Sequence, residues 1–118
     1  MKILAVDTSQ PVGSVALSID GRLVGGVRLG GSDSHLVELG RSIDALLKTG
    51  DTAITSFDSV AVFTGPGSFT GLRMGMAYVK GLHPALRMDL VGITSLDLLA
   101  RQAGAGVGAV APMIDARK

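Results

Sequence analysis

The chain has 118 residues, eleven Lys or Arg against ten Asp or Glu, and 47% hydrophobic residues of which few are aromatic. That is the length of one domain, with a charge balance too even to coat nucleic acid through phosphate neutralisation. The lack of any cysteine excludes a disulfide scaffold, a thiolate zinc site and a Cys nucleophile.

Residues 2–6 are a short apolar run ending at Asp7-Thr8-Ser9, and they read as a strand. Gln10-Pro11 makes a turn, with Val12 and Gly13 leading out of it. A second strand then alternates Val15, Leu17 and Ile19 with the smaller Ser14, Ala16 and Ser18. Asp20-Gly21 is a two-residue hairpin signal, because both positions tolerate positive φ. Residues 23–29 form a third strand, with Leu23, Gly25, Val27 and Leu29 on one face. Ser32, Asp33 and Ser34 are good helix N-caps, and Leu36, Leu39, Ile43, Leu46 and Leu47 then repeat at helical spacing. Gly50 ends that helix. Residues 59–64 read as a buried strand, 65–71 as a glycine loop, and 70–83 as a second helix that stops before Pro84. Residues 90–93 are a further strand. Residues 95–102 are a helix with Leu96, Leu99 and Ala103 on one side, and 107–114 are a last strand. The order β-β-β-α-β-α-β-α-β joins an antiparallel meander to α/β units. It resembles the ribonuclease H-like half-domain of actin-like ATPases and not a Rossmann fold, which starts β-α-β.

The longest stretch without charge, 59–72, is too short to cross a bilayer and contains Pro66. Asp7 interrupts the N-terminus before a signal-peptide core could form. A cytoplasmic location, away from membranes, is the expectation.

Three features bear on chemistry. The loop Gly65-Pro66-Gly67-Ser68-Phe69-Thr70-Gly71 stands between a strand and a helix start, where outward N–H groups favour an anion. It lacks the Lys-Ser/Thr pair of a P-loop and departs from G-x-G-x-x-G. A tight turn packed against a neighbouring element explains it equally well. Asp7, at the end of the first strand, either helps to hold a hydrated metal beside phosphates or caps its own turn. The second helix carries Leu72, Met76 and Val79 as one apolar stripe, with Met74, Ala77, Tyr78 and Leu82 beyond it. Gly71, Gly75 and Gly81 keep it slim, and Arg73 and Lys80 share a face. A helix apolar on more than one side is covered on more than one side, by a partner or by the rest of its own domain. His35 and His83 have no metal-ligand constellation around them, and no Ser-His-Asp arrangement shows in the spacing.

TGPGSFTGLRMGMAYVKGL, residues 64–82, resembles the signature of the TsaB (YeaZ) family, also described as glycoprotease-like or peptidase M22-like. MKILAVDTS at the start, Ser34-His35, Gly92-Ile93-Thr94-Ser95-Leu96-Asp97 and Asp115-Ala116-Arg117-Lys118 fit the same family. The resemblance implies a bacterial cytoplasmic protein of actin-like, two-lobed fold. It implies a role in making N6-threonylcarbamoyladenosine (t6A) in tRNA without performing the transfer. The implied partners are a TsaD-type catalytic paralogue, contacted through helices of the N-terminal lobe, and a TsaE-type ATPase. A homodimer is a further possibility, and tRNA is reached only indirectly. In the paralogue two histidines at i, i+4 bind the metal; Ser95 and Leu99 stand at those positions here, which implies no metal centre and a pseudoenzyme. Family members are about twice as long, so residues 1–118 correspond to the N-terminal lobe and the second lobe is absent from the chain.

The expected site is therefore twofold. Asp7, Gly65, Gly67, Ser68 and Gly71 form a vestigial phosphate loop, with no cofactor bound unless a nucleotide enters with the second lobe or a complex. His35, Leu39, Leu72, Met74, Gly75 and Tyr78 form a partner interface. The alternatives are a small ATPase or glycoprotease-type hydrolase using Asp7 and the glycine loop, and a homodimeric scaffold.

Overall fold

Side-chain alternation builds the first three strands. β1 (Lys2–Asp7), β2 (Gly13–Ile19) and β3 (Arg22–Leu29) pair as an antiparallel meander in a computed structural model that describes residues 1–30, 35–106 and 108–115. Leu4, Val6, Val15 and Leu17 are fully buried on one face, and the intervening Ala5, Ser14 and Ala16 are half-buried on the other. Between β2 and β3, Asp20 has φ 50° and Gly21 φ 77°, the paired positive values of a type I′ hairpin.

The face expected for β3 needs correction. The register slips between Leu17 and Ser18, so that Leu17 pairs with Gly25 and Ser18 with Leu23. Val24, the extra residue, packs onto the core, and Leu23 is left 73% exposed. A bulge reverses the alternation at one point, and hydrophobic patterning does not mark it.

The helix α1 (His35–Thr49) buries Leu39, Ile43 and Leu46 over β2 and β3. Its expected caps Ser32, Asp33 and Ser34 lie outside the described residues. A 3-10 turn (Ile54–Ser56) leads into β4 (Ser59–Gly65), which lies parallel to β1 and sets Val60 and Val62 in the same core. The helix α2 (Phe69–Leu86) returns beside α1, and β5 (Asp89–Thr94) adds parallel to β4. The sheet order is β3-β2-β1-β4-β5. On the opposite face α3 (Ser95–Gln102) covers β4 and β5, leaving Leu98 and Leu99 exposed. Each fully buried Leu or Val contributes roughly 1.5–3 kcal/mol of burial.

Two further expectations are corrected. α2 does not stop at His83; it continues through Pro84 to Leu86, with Arg87 in the left-handed region donating its amide to His83 O. Proline in the final turn forfeits one helical hydrogen bond and leaves little helix after it to disrupt. The last strand expected over 107–114 is not formed by residues 108–114. Gly108 and Pro112 weaken it, and residues 112–115 instead return to line a groove with Ser9, Gln10 and Pro11.

Candidate functional site

Thr8 and Ser9 leave the end of β1, and α2 is laid directly across them. The Thr8 hydroxyl donates to the Gly71 carbonyl at 2.7 Å in the interior. The Ser68 amide donates to Ser9 O at 2.7 Å. A Cβ at Gly67 would overlap Ser9 O, one at Gly71 the Thr8 carbonyl oxygen, and one at Gly75 the Thr8 hydroxyl. These three glycines admit the β1–β2 turn to the backbone of α2. Gly65 meets a different demand, a φ of 101°.

The same packing takes up part of what the loop can offer an anion. The amides of Ser68, Gly71 and Leu72 donate to Ser9 O, Ser68 Oγ and Ser68 O. Each is engaged within the chain, whereas an anion site at a helix start relies on unengaged N–H groups. Asp7 Oδ1 accepts from the Ser9 amide at 2.8 Å and from Ser9 Oγ at 2.6 Å. That is the capped-turn arrangement. A groove of about 770 Å³ runs past Ser9, Pro11, Gly67, Ser68, Pro112 and Asp115. Of the expected phosphate-loop residues it touches Gly67 and Ser68, and not Asp7, Gly65 or Gly71. Among the described residues no group of three or more His, Asp or Glu could hold a metal ion.

The outer surface of the two helices is a second candidate. α1 and α2 run side by side in the same sense. Leu36 shares a groove of about 390 Å³ with Thr70, Arg73, Met74 and Ala77, and Gly40 lies beneath the Tyr78 hydroxyl. Burial there, with the charge of Asp44 adding to it, pushes the Tyr78 phenol above its ordinary value of 10.0. On the outside of α2, Phe69 is 74% exposed and carries the Arg73 guanidinium over its ring, 5.3 Å from the centroid. Ala77 and Lys80 are exposed further along the helix. On the other flank a groove of about 450 Å³ is lined by Phe63, Leu72 and Met76, again with Arg73 and Ala77.

The expected interface residues divide accordingly. Leu39, 1% exposed, belongs to the core, and Gly75 is buried against Thr8. They lie on the inward edges of their helices, α2 burying Gly71, Gly75 and Val79. Tyr78 is half-buried against α1 and the core. Leu72 and Met74 are half-buried at the two grooves, and the side chain of His35 lies outside the described residues. The apolar surplus of α2 is thus largely absorbed by α1 and the sheet. Phe69, Ala77 and Thr8 are not among the expected site residues, although the sequence pattern includes them. The four-residue steps Phe69, Arg73, Ala77 were the available signal. Ser95 is buried with no partner for its hydroxyl among the described residues, and Leu99 is exposed.

Among the described residues no helix is long and apolar enough to cross a membrane. The model of a family described as "TsaD: tRNA N6-adenosine threonylcarbamoyltransferase" matches residues 28–118. The Escherichia coli protein named tRNA threonylcarbamoyladenosine biosynthesis protein TsaB is 34% identical over 119 residues, covering 99% of this chain and 51% of that protein. YeaZ from Pseudomonas aeruginosa superimposes with a TM-score of 0.79 at 33% identity, over 86% of this chain and 47% of that one. RuvC from Thermus thermophilus, with a TM-score of 0.60 at 14% identity over 94% of this chain, shares the fold alone. The chain spans about half the length of the curated relatives it matches. The mixed sheet and these likenesses make it an α/β, actin-like half-domain of ribonuclease H type. On these grounds the chain belongs to the tRNA N6-adenosine threonylcarbamoyltransferase (TsaD) family, among its TsaB (YeaZ) members.

Proposed function

We propose that this chain is a non-catalytic partner of a TsaD-type transferase in the formation of t6A in tRNA, and that it pairs through the outer face of α1 and α2. The observation that carries the reading is the exposed Phe69 with Arg73 stacked upon it, flanked by two shallow grooves. Aromatic and Arg side chains are enriched where protein interfaces concentrate their energy. The pathway is supported by the name of the Escherichia coli relative. A supporting role, and not the transfer itself, is favoured by Ser95 and Leu99, neither of which can replace imidazole as a metal ligand. A TsaE-type ATPase belongs to the same proposal through the family resemblance. The net charge of +1 fits indirect contact with tRNA.

Titration of the chain into a TsaD-type transferase tests this. The expected result is one-to-one binding, weakened at least about tenfold by Phe69→Asp with an unchanged thermal midpoint, since Phe69 is exposed. Equal affinity in the variant would overturn the assignment of the face.

In this reading a nucleotide needs the second lobe or the complex, and the engagement of the Ser68, Gly71 and Leu72 amides within the chain supports it. ATP with magnesium, added to the chain alone, is expected to give no saturable binding. Tight binding would favour a small ATPase or hydrolase working through Asp7 and the glycine loop.

A further inference from the structure

We infer that Thr8 is a positioning residue for pairing: its buried hydroxyl sets where the N-terminal end of α2 lies, and through α2 where Phe69 is presented. This rests on the pairing proposed above and adds what holds that surface in place. Thr8 follows β1 and is 4% exposed. Its hydroxyl donates to the Gly71 carbonyl at 2.7 Å, an acceptor in the first turn of α2. The Thr8 carbonyl oxygen fills the space that a Cβ would need at Gly71, and the Thr8 hydroxyl oxygen fills the same space at Gly75. One residue thus bears on α2 at two successive turns, by a hydrogen bond and by direct contact. The next residue adds to the hold, Ser9 O accepting from the Ser68 amide at 2.7 Å.

The contact lies on the far side of α2 from its exposed row. Two residues along a helix turn it by about 200°, so Gly71 and Gly75 face away from Arg73 and Ala77. Further along, Val79 sits in the core and Tyr78 stands over Gly40 of α1. α2 is therefore fixed at its middle by packing and at its N-terminal end by Thr8. Packed elements shift as bodies, because close-packed interiors transmit strain. A change at Thr8 swings the N-terminal end of α2 about that middle, and Phe69, the first residue of the helix, moves with it. Thr8→Val removes the donor and sets a methyl against Gly75 where an oxygen fits. Thr8→Ser keeps the donor.

The test titrates the chain and its variants into a TsaD-type transferase, with thermal midpoints measured alongside. Thr8→Val is expected to bind about fivefold more weakly, and Thr8→Ser to bind like the parent. Loss of stability alone leaves affinity unchanged while nearly all of the chain stays folded, because apparent affinity scales with the competent fraction. Phe57→Leu supplies that control by opening a void in the core. Phe57 precedes β4 and Thr8 follows the parallel β1, so the two stand at opposite ends of the sheet. Phe57→Leu should lower the thermal midpoint and keep the parent's affinity. In a Phe69→Asp background the effect of Thr8→Val should vanish, since the contact that Thr8 positions is already lost. If Thr8→Val does not fold, Thr8→Ala carries the same expectations. Parent-like affinity of the Thr8 variant, an equal loss in Phe57→Leu, or full additivity with Phe69→Asp overturns the inference and leaves pairing standing. No binding by the parent chain removes the pairing proposal, and this one with it.

Discussion

Thr8 grips α2 at two successive turns, by a hydrogen bond to Gly71 O and by contact at Gly75. The two glycines therefore fail differently when enlarged. Gly71→Ala drives a methyl into the Thr8 backbone, which no side-chain change relieves, and should cost roughly 2–3 kcal/mol or more of stability. Gly75→Ala meets only the Thr8 hydroxyl, so its cost should shrink in a Thr8→Ala background. Denaturant unfolding of the double-mutant cycles reads the difference; equal coupling at both glycines contradicts the geometry. Tyr78 offers a second check, because it is the sole tyrosine and the chain has no tryptophan. Its folded-state pKa lies above the ordinary 10.0, so folding favours the neutral phenol. Its contribution to stability is complete below about pH 10 and is lost as pH rises through the folded midpoint. Phenolate absorbance should titrate at higher pH in the native chain than in urea; coincident curves would mean that Tyr78 is not held against α1.

Among the elements, the meander and α1 were legible because each follows one period: two along β1 and β2, and helical along Leu39, Ile43 and Leu46. The Asp20-Gly21 turn was legible because its φ values demand those residues. The bulge in β3 was not, since Leu23 and Val24 are both hydrophobic and the pattern does not say which of them faces the core. It makes a sharp prediction. Leu23→Asp should change stability by no more than about 0.5 kcal/mol, whereas Val24→Asp should cost about 2 kcal/mol or more by placing a charge against the core. The reverse order in thermal or denaturant unfolding would restore the uninterrupted register. The glycine loop shows why a motif can be read and its purpose left open. Close approach of a phosphate and close approach of Thr8 both require residues without a Cβ, and spacing alone does not separate them. α2 carries the same ambiguity: an excess of apolar residues is common to a helix covered by a partner and to one wedged between a sheet and a neighbouring helix. Phe69, Arg73, Ala77 and Lys80 are among the α2 residues left exposed.

Taken together, the fold presents two faces of different character. On one, the β1–β2 turn and the glycine loop are closed on each other by Thr8 and Ser9. On the other, α1 and α2 leave an aromatic and two cations in water, with grooves on both flanks. The proposed division of labour follows: the first face holds α2 in place, and the second presents it to the transferase. Family membership follows from the match over residues 28–118 and is independent of that division, so pairing itself is what must be measured. Light scattering on a sizing column, with the chain mixed with a TsaD-type transferase, gives the answer as a mass. A single one-to-one species, lost with Phe69→Asp, is the predicted result. Two components eluting at their separate masses would contradict the account.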